Sequence, residues 1–254
     1  MYSKPMAEAE SRLDPAAVST EQTGADGVAE PPDRPKRRGP PRSLSLAQVV
    51  DAALDVVDEG GPDALSVRAV AARLRVNPNA LYTYVASRAA LEREIVERVL
   101  ADSTVTLLAG QDPWRQRVLD YAISLRLVLL RHPGVARLMM TAPMDGPTAL
   151  LVGERLIGAI AESGLSTDDA ARATYAMIVQ VLGSVALEVA ETDGRPPLAP
   201  EADRVAGRRA ILDWLDGDDW PMTAATKDVA AQWISTDQFI WSVERLLDGI
   251  AAVG

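Results

Sequence analysis

Cysteine is absent from this 254-residue chain, and histidine occurs once, at His132. The first absence removes disulfides, thiol nucleophiles and cysteine-based metal sites. The second removes most histidine-built zinc centres and catalytic triads. Phenylalanine also occurs once and aromatics make up 4% of the residues, so sheet-forming side chains are scarce. Abundant alanine and a 48% apolar composition instead favour helices around a sizeable core. No apolar run is expected to approach the roughly 18 residues of a membrane span, and the N-terminus lacks the apolar centre of a secretory signal. The chain is expected to be all-α, soluble and cytoplasmic, with no membrane partner.

The formal net charge is −10, which argues against a nucleic-acid partner only if it is evenly spread. It is not. Between Arg34 and Leu91 there are nine basic and five acidic side chains, a surplus of four, so the remainder carries −14. Charges are screened beyond roughly 8 Å at physiological salt, so a basic end on an acidic body can still attract phosphates.

Along the chain, residues 1–33 are acidic, turn-rich and without periodicity, and read as a disordered tail. Residues 34–43 contain "RPKRRGPPR", which is either a solvated linker or a basic arm reaching DNA, with Arg42 as a contact. Residues 44–87 carry three short helical patterns. Ser45, Ser66 and Asn77 stand as N-caps, and Pro78 occupies a first helical position, where its missing N–H costs nothing. The third helix is expected to run about eight residues. Residues 88–254 form a body of long amphipathic helices whose first, over 88–108, links it to the head. Others are expected near 113–131, 135–141, 148–162, 168–191, 207–215, 224–234 and 236–253, with turn-rich breaks between them.

The second and third patterns have helix-turn-helix spacing. Small Ala71 permits a close crossing, while Val70, Leu74, Val76 and Leu81 fill the wedge. The third helix then projects Asn77, Pro78, Asn79, Ala80, Thr83 and Tyr84 toward a major groove roughly 12 Å wide. Arg68, Tyr82 and Arg88 are better placed for phosphates, which fix register without reading sequence. A three-helix bundle that binds nothing is the bland alternative.

The stretch "LSLAQVVDAALDVVDEGGPDALSVRAVAARLRVNPNALYTYVASRAALEREIV" resembles the DNA-binding domain of the tetracycline repressor (TetR) family, most specifically in "LYTYVASRAAL". The resemblance implies that Arg68 contacts phosphate, that Leu81 and Tyr82 form the recognition helix's Leu-Tyr pair, and that Arg88 opens the fourth helix. The turn position usually held by glycine is Arg75. A left-handed backbone there costs a non-glycine residue roughly 1 kcal/mol or more.

The body resembles the tetracycline-repressor branch through "DPWRQRVLDYAISLRLVLLRHPG", "GLSTDDAARATYAMIVQVLGSVALEVAE" and "FIWSVERLLDGIAAV". This implies a homodimer in which the 168–191 and 236–253 helices pair with their twofold copies; burial within one chain is the alternative. It also implies a small-molecule pocket, with Thr104, Tyr121, Leu125, Leu138, Met139, Thr141, Tyr175 and Met177 as lining, although each can equally be ordinary core. In that branch magnesium accompanies the drug, held partly by a histidine in the sixth helix. The matching "GVARLMMTAP" has none, and Leu138 or Met139 falls there, so a methionine-lined pocket points to an apolar effector and no metal or other cofactor is called. His132, before Pro133, reads as a helix C-cap rather than a ligand. The implied function is a homodimeric repressor released from a palindromic operator by a small-molecule effector, and not an enzyme. The rival is an all-α metal-dependent enzyme using Asp213, Asp216, Asp218 and Asp219. That loop lacks ordered EF-hand alternation and otherwise reads as a solvated helix end.

Overall fold

A computed structural model describes residues 44–254, which are helical with no strand among them and pack as one compact unit. Arg42, with the arm and tail expected over 1–43, lies outside the described residues. The head consists of α1 (Leu46–Gly60), α2 (Val67–Leu74) and α3 (Pro78–Leu81). Each begins at the cap its sequence predicts. Ser45 and Gln48 form a reciprocal capping box, the Ala69 N–H donates to Ser66 Oγ at 3.1 Å, and the Asn79 N–H donates to Asn77 Oδ1 at 2.9 Å. Val49, Ala53, Val57, Val70, Ala71 and Leu81 are fully buried between them.

Arg75 adopts φ 56°, ψ 40°, the left-handed cap that its position requires. Its N–H donates to the Ala72 carbonyl and the Val76 N–H to that of Ala71, which satisfies the end of α2 at the expense of backbone strain. The third helix is shorter than eight residues. Helix ends at Leu81 and turns continue it over Tyr82–Tyr84, with the Thr83 hydroxyl donating to the Ala80 carbonyl at 2.8 Å.

The body comprises α4 (Arg88–Asp102), α5 (Trp114–Arg131), α6 (Pro133–Leu138), α7 (Pro147–Ala161), α8 (Thr167–Ala190), α9 (Glu201–Ile211), α10 (Pro221–Ala225), α11 (Lys227–Ala231) and α12 (Thr236–Val253). Several body boundaries differ from expectation, among them α6, which runs Pro133–Leu138 rather than 135–141. α4 stops at Asp102 rather than 108, because buried Ser103 turns its hydroxyl onto the Leu100 carbonyl and Thr104 takes a left-handed backbone. α9 starts six residues before Gly207, after Pro200, with Glu201 and Asp203 complementing its N-terminal dipole. The 224–234 stretch is broken at Thr226 into two short helices and a 3-10 turn.

α5 runs through the middle of the body against α4, α6, α7, α8 and α12. At its inner face Arg126, 1% exposed, meets Glu188 of α8 at 2.9 Å and the Thr236 hydroxyl at the start of α12. Arg204 of α9 reaches the same Glu188 at 2.8 Å. Breaking one member of such a buried ion cluster costs about 3–5 kcal/mol, so the cluster fixes how α9 and α12 sit on the body.

α8 corrects the reading that no apolar run is long enough to span a membrane. By length and composition it is, although 39% of its most apolar window is buried in the fold. The head rests on the body through α1 against α4 and α6. There Gly134 is mandatory, since a Cβ would lie 2.3 Å from the Val57 carbonyl.

Candidate functional site

The surface of α3 and its following turn carries Asn77, Asn79, Ala80, Tyr82, Thr83 and Tyr84, all exposed, beside half-buried Pro78. Leu81 and Val85 hold this segment to the head from below. Among the described residues, the Asn79 side chain and the Tyr82 hydroxyl have no internal partner, and neither do the exposed guanidinium groups of Arg68 and Arg75. Such groups are available to base edges and phosphates.

Three expected contacts carry internal work. Asn77 spends its carbonyl oxygen on the helix cap. The Tyr84 hydroxyl donates to the Leu44 main-chain carbonyl and so pins the point where the chain enters the head. Arg88 ion-pairs with Glu92 at 2.7 Å and donates to the Pro62 carbonyl at 3.0 Å, joining α4 to the loop between α1 and α2.

Behind the head, α4, α5, α7 and α8 enclose a cavity of about 380 Å³, within the range of small-molecule sites. Of the eight residues expected to line it, Tyr121, Leu125, Met139 and Met177 do. The others do not. Leu138 is buried elsewhere in α6; Thr104 is exposed in the turn after α4; Thr141 gives its hydroxyl to the Leu138 carbonyl; Tyr175, 70% exposed, lies on the outer face of α8. A single helical row along α8 cannot line a pocket and face outward at once, and Met177 has the inner face.

The α7 wall was missed: Ala149, Leu150, Gly153, Leu156 and Ile157, with Met144 before it. Their spacing in "ALLVGERLI" is one helix face, with Gly153 leaving open space where a side chain would stand.

Inside the cavity the lining is apolar except for Tyr121. Burial pushes its hydroxyl up to about 12, partly opposed by its hydrogen bond with Ser103, so the interior carries no charge at neutral pH. Glu154, exposed at the rim, is the ionisable side chain besides Tyr121 that reaches the lining.

No group of three or more His, Asp or Glu side chains is gathered in a metal-binding arrangement among the described residues. In the aspartate-rich loop, Asp213 is taken by Arg209 and Lys227, while Asp216 accepts the Asp218 N–H. His132 caps the end of α5, and its Nδ1 lies 2.7 Å from Asp58 Oδ2.

Two family models match this arrangement: bacterial regulatory proteins of the tetR family over residues 49–95, and the tetracyclin repressor-like C-terminal domain over residues 108–253. The chain belongs to the tetR family. This TetR-family protein is a DNA-binding transcriptional regulator.

It is 29% identical to an HTH-type transcriptional regulator of Saccharopolyspora erythraea, covering 80% of this chain and 88% of that protein. It is 32% identical to the class A tetracycline repressor of Escherichia coli from transposon 1721, covering 66% and 79%. A crystal structure of a possible TetR family regulator from Streptomyces coelicolor A3(2) superposes with a TM-score of 0.70 at 30% identity, covering 83% of this chain and all of that one. These relatives are regulators, so the regulator reading takes precedence over the metal-dependent enzyme.

In this TetR-family chain the cavity and head share one helix. Glu97 of α4 accepts the Thr148 and Ala149 N–H groups at 2.7 and 3.0 Å, capping α7, and Ala149 lines the cavity. Arg93, one turn earlier, holds Asp145 with two hydrogen bonds of 2.6 and 2.9 Å. That guanidinium keeps the Asp145 carboxyl below the usual carboxylate range. α4 therefore joins the cavity's α7 wall at one end and the head at Arg88.

Proposed function

We propose that this protein is a cytoplasmic homodimeric repressor, released from a palindromic operator when an apolar small molecule fills the body cavity. The observation that carries the reading is α4, bonded to the cavity wall by Glu97 and Arg93 and to the head by Arg88. A ligand that displaces α7 acts on α4 and changes the head's position, which shifts the population between DNA-competent and DNA-free arrangements.

A dimer is supported by the outer row of α8. Tyr175, Val179 and Leu187 are exposed at four- and eight-residue spacing, with Gly183 between them and nothing within 4 Å of where its side chain would be. An apolar row with a bare centre suits close approach of a second helix, and exposed Trp241 of α12 adds to it. Two heads then meet half-sites about one DNA turn apart, roughly 34 Å.

Base discrimination falls to Asn79 and Ala80, with Thr83 as acceptor. Pro78 shapes the tip, and Arg68, Tyr82 and Arg75 hold phosphate. The interior of Tyr121, Leu125, Met139 and Met177 selects an apolar effector and offers no donor set for magnesium.

Footprinting on the DNA upstream of its own gene, combined with sedimentation of the complex, tests this reading. A symmetric footprint carrying two chains is expected. A single chain on an asymmetric site would remove the dimeric reading.

A further inference from the structure

The cavity between α4, α5, α7 and α8 has hydrogen-bonding capacity of one kind. Among the described residues its lining holds no Arg, Lys, His, Asn, Gln, Ser, Thr or Trp, which leaves the Tyr121 hydroxyl as its side-chain donor. That proton is already engaged. The Ser103 hydroxyl gives its single proton to the Leu100 carbonyl at 2.7 Å, a group that can only accept. In the 3.3 Å contact between Ser103 and Tyr121 it is therefore Tyr121 that donates. The start of α7 adds no main-chain donor either. Pro147 has no N–H, Thr148 and Ala149 both donate to Glu97, and Leu150 donates to the Gly146 carbonyl at 2.9 Å.

What remains are acceptors: the Tyr121 oxygen, the thioether sulfurs of Met139, Met144 and Met177, and the carboxylate of Glu154 at the rim. Glu154 is exposed and has no hydrogen-bond or ion-pair partner among the described residues. Of the bases around this wall, Arg93 is held by Asp145, and Arg155 donates to the Val105 carbonyl at 3.4 Å. A ligand oxygen brought inside such a lining loses its water and gains no donor in exchange. An anionic head group left in water at the mouth meets the like charge of Glu154. An ammonium group there meets an unlike charge, while the apolar body it carries fills the interior.

We propose that the effector of this cavity is a lipophilic amine, protonated at neutral pH, with its ammonium group at the Glu154 rim and its hydrocarbon among the three methionines and Tyr121. At about 30 Å³ per water-sized group, a cavity of about 380 Å³ takes roughly a dozen heavy atoms. The amine class rests on the cavity being the effector site, and adds to that reading the sign of the effector's charge.

Calorimetry of the full chain with decylamine, decanol and decanoate, one hydrocarbon chain under three head groups, is the test. Decylamine is expected to bind about tenfold more tightly than decanoate, with decanol between them. Glu154→Gln should narrow that gap about threefold, and Glu154→Lys should reverse it, so that decanoate binds the more tightly. Glu154 is exposed, so neither substitution disturbs the fold. Gly153→Leu, which places a side chain in the open space of the wall, should abolish binding of all three. Decanoate binding to wild type as tightly as decylamine, or a preference unmoved by Glu154→Lys, would overturn the amine class and leave the effector site standing. Binding of none of the three, or binding that survives Gly153→Leu, would overturn the effector site and the amine class together.

Discussion

Glu97 Oε1 accepts the Ala149 N–H at 3.0 Å, so a carboxylate on the linking helix holds the first turn of the helix that walls the apolar cavity. Its other oxygen takes the Thr148 N–H at 2.7 Å. A carboxylate at a helix N-terminus satisfies two orphan donors and complements the dipole, together about 1–2 kcal/mol. Glu97→Ala is therefore expected to lower stability by about that amount while leaving operator affinity without ligand near wild type. Its distinctive effect is on coupling: a hydrophobic probe that occupies the cavity should weaken operator binding several-fold less than in wild type. Affinities measured with and without probe check this, and Glu97→Gln, which keeps one acceptor, should fall between.

Gly153→Leu places a side chain where open space now lies on the α7 wall. The cavity should fill, ligand-induced release should be lost, and operator binding should persist. Probe titration followed by fluorescence, alongside a gel shift, measures both. Loss of DNA binding in this variant would show that α7 carries more than the ligand response.

The buried Tyr121 hydroxyl links stability to alkaline pH. Its native value, about 12, is raised above its ordinary value near 10, so its contribution is full below pH 10. It is lost as pH rises from 10 toward 12, where the unfolded chain deprotonates first. Over that window wild type should lose about 2–3 kcal/mol more than Tyr121→Phe, on the order of 1.4 kcal/mol per pH unit. Urea unfolding of both proteins at pH 9 and pH 12 gives the difference directly. Equal losses would mean that Tyr121 is hydrated in the native state.

Arg68 and Asn79 both lack internal partners, but their chemistry separates them. Arg68→Ala should weaken all duplexes alike and reduce the salt slope by about one phosphate contact. Asn79→Ala should instead narrow the gap between operator and single-base variants, by about 1–3 kcal/mol at the position it reads. Affinities over a salt series on both kinds of duplex distinguish them, and identical profiles would refute the division.

The head was legible because its signals are local. Ser45, Ser66 and Asn77 cap within three residues, Pro78 starts a helix, and Arg75 stands where the turn needs a left-handed residue. The body was less so. Tyr121 and Met177 line the cavity, but Tyr175 faces outward, because residues two apart on a helix are about 200° apart. The α7 wall carries no polar marker that sets it apart from ordinary core. Glu97 is one acid among several on α4, and its role depends on where Thr148 and Ala149 arrive from fifty residues away. The same holds for Tyr84. A sequence places it on the reading face, but its hydroxyl is bound to Leu44 across forty residues.

The most direct test of the account is the affinity of the full chain for the duplex upstream of its own gene, against random duplex of equal length at moderate salt. The account predicts a preference of at least a hundredfold, which falls when the apolar cavity is occupied. Equal affinity for the two duplexes, with or without an occupant, would contradict it.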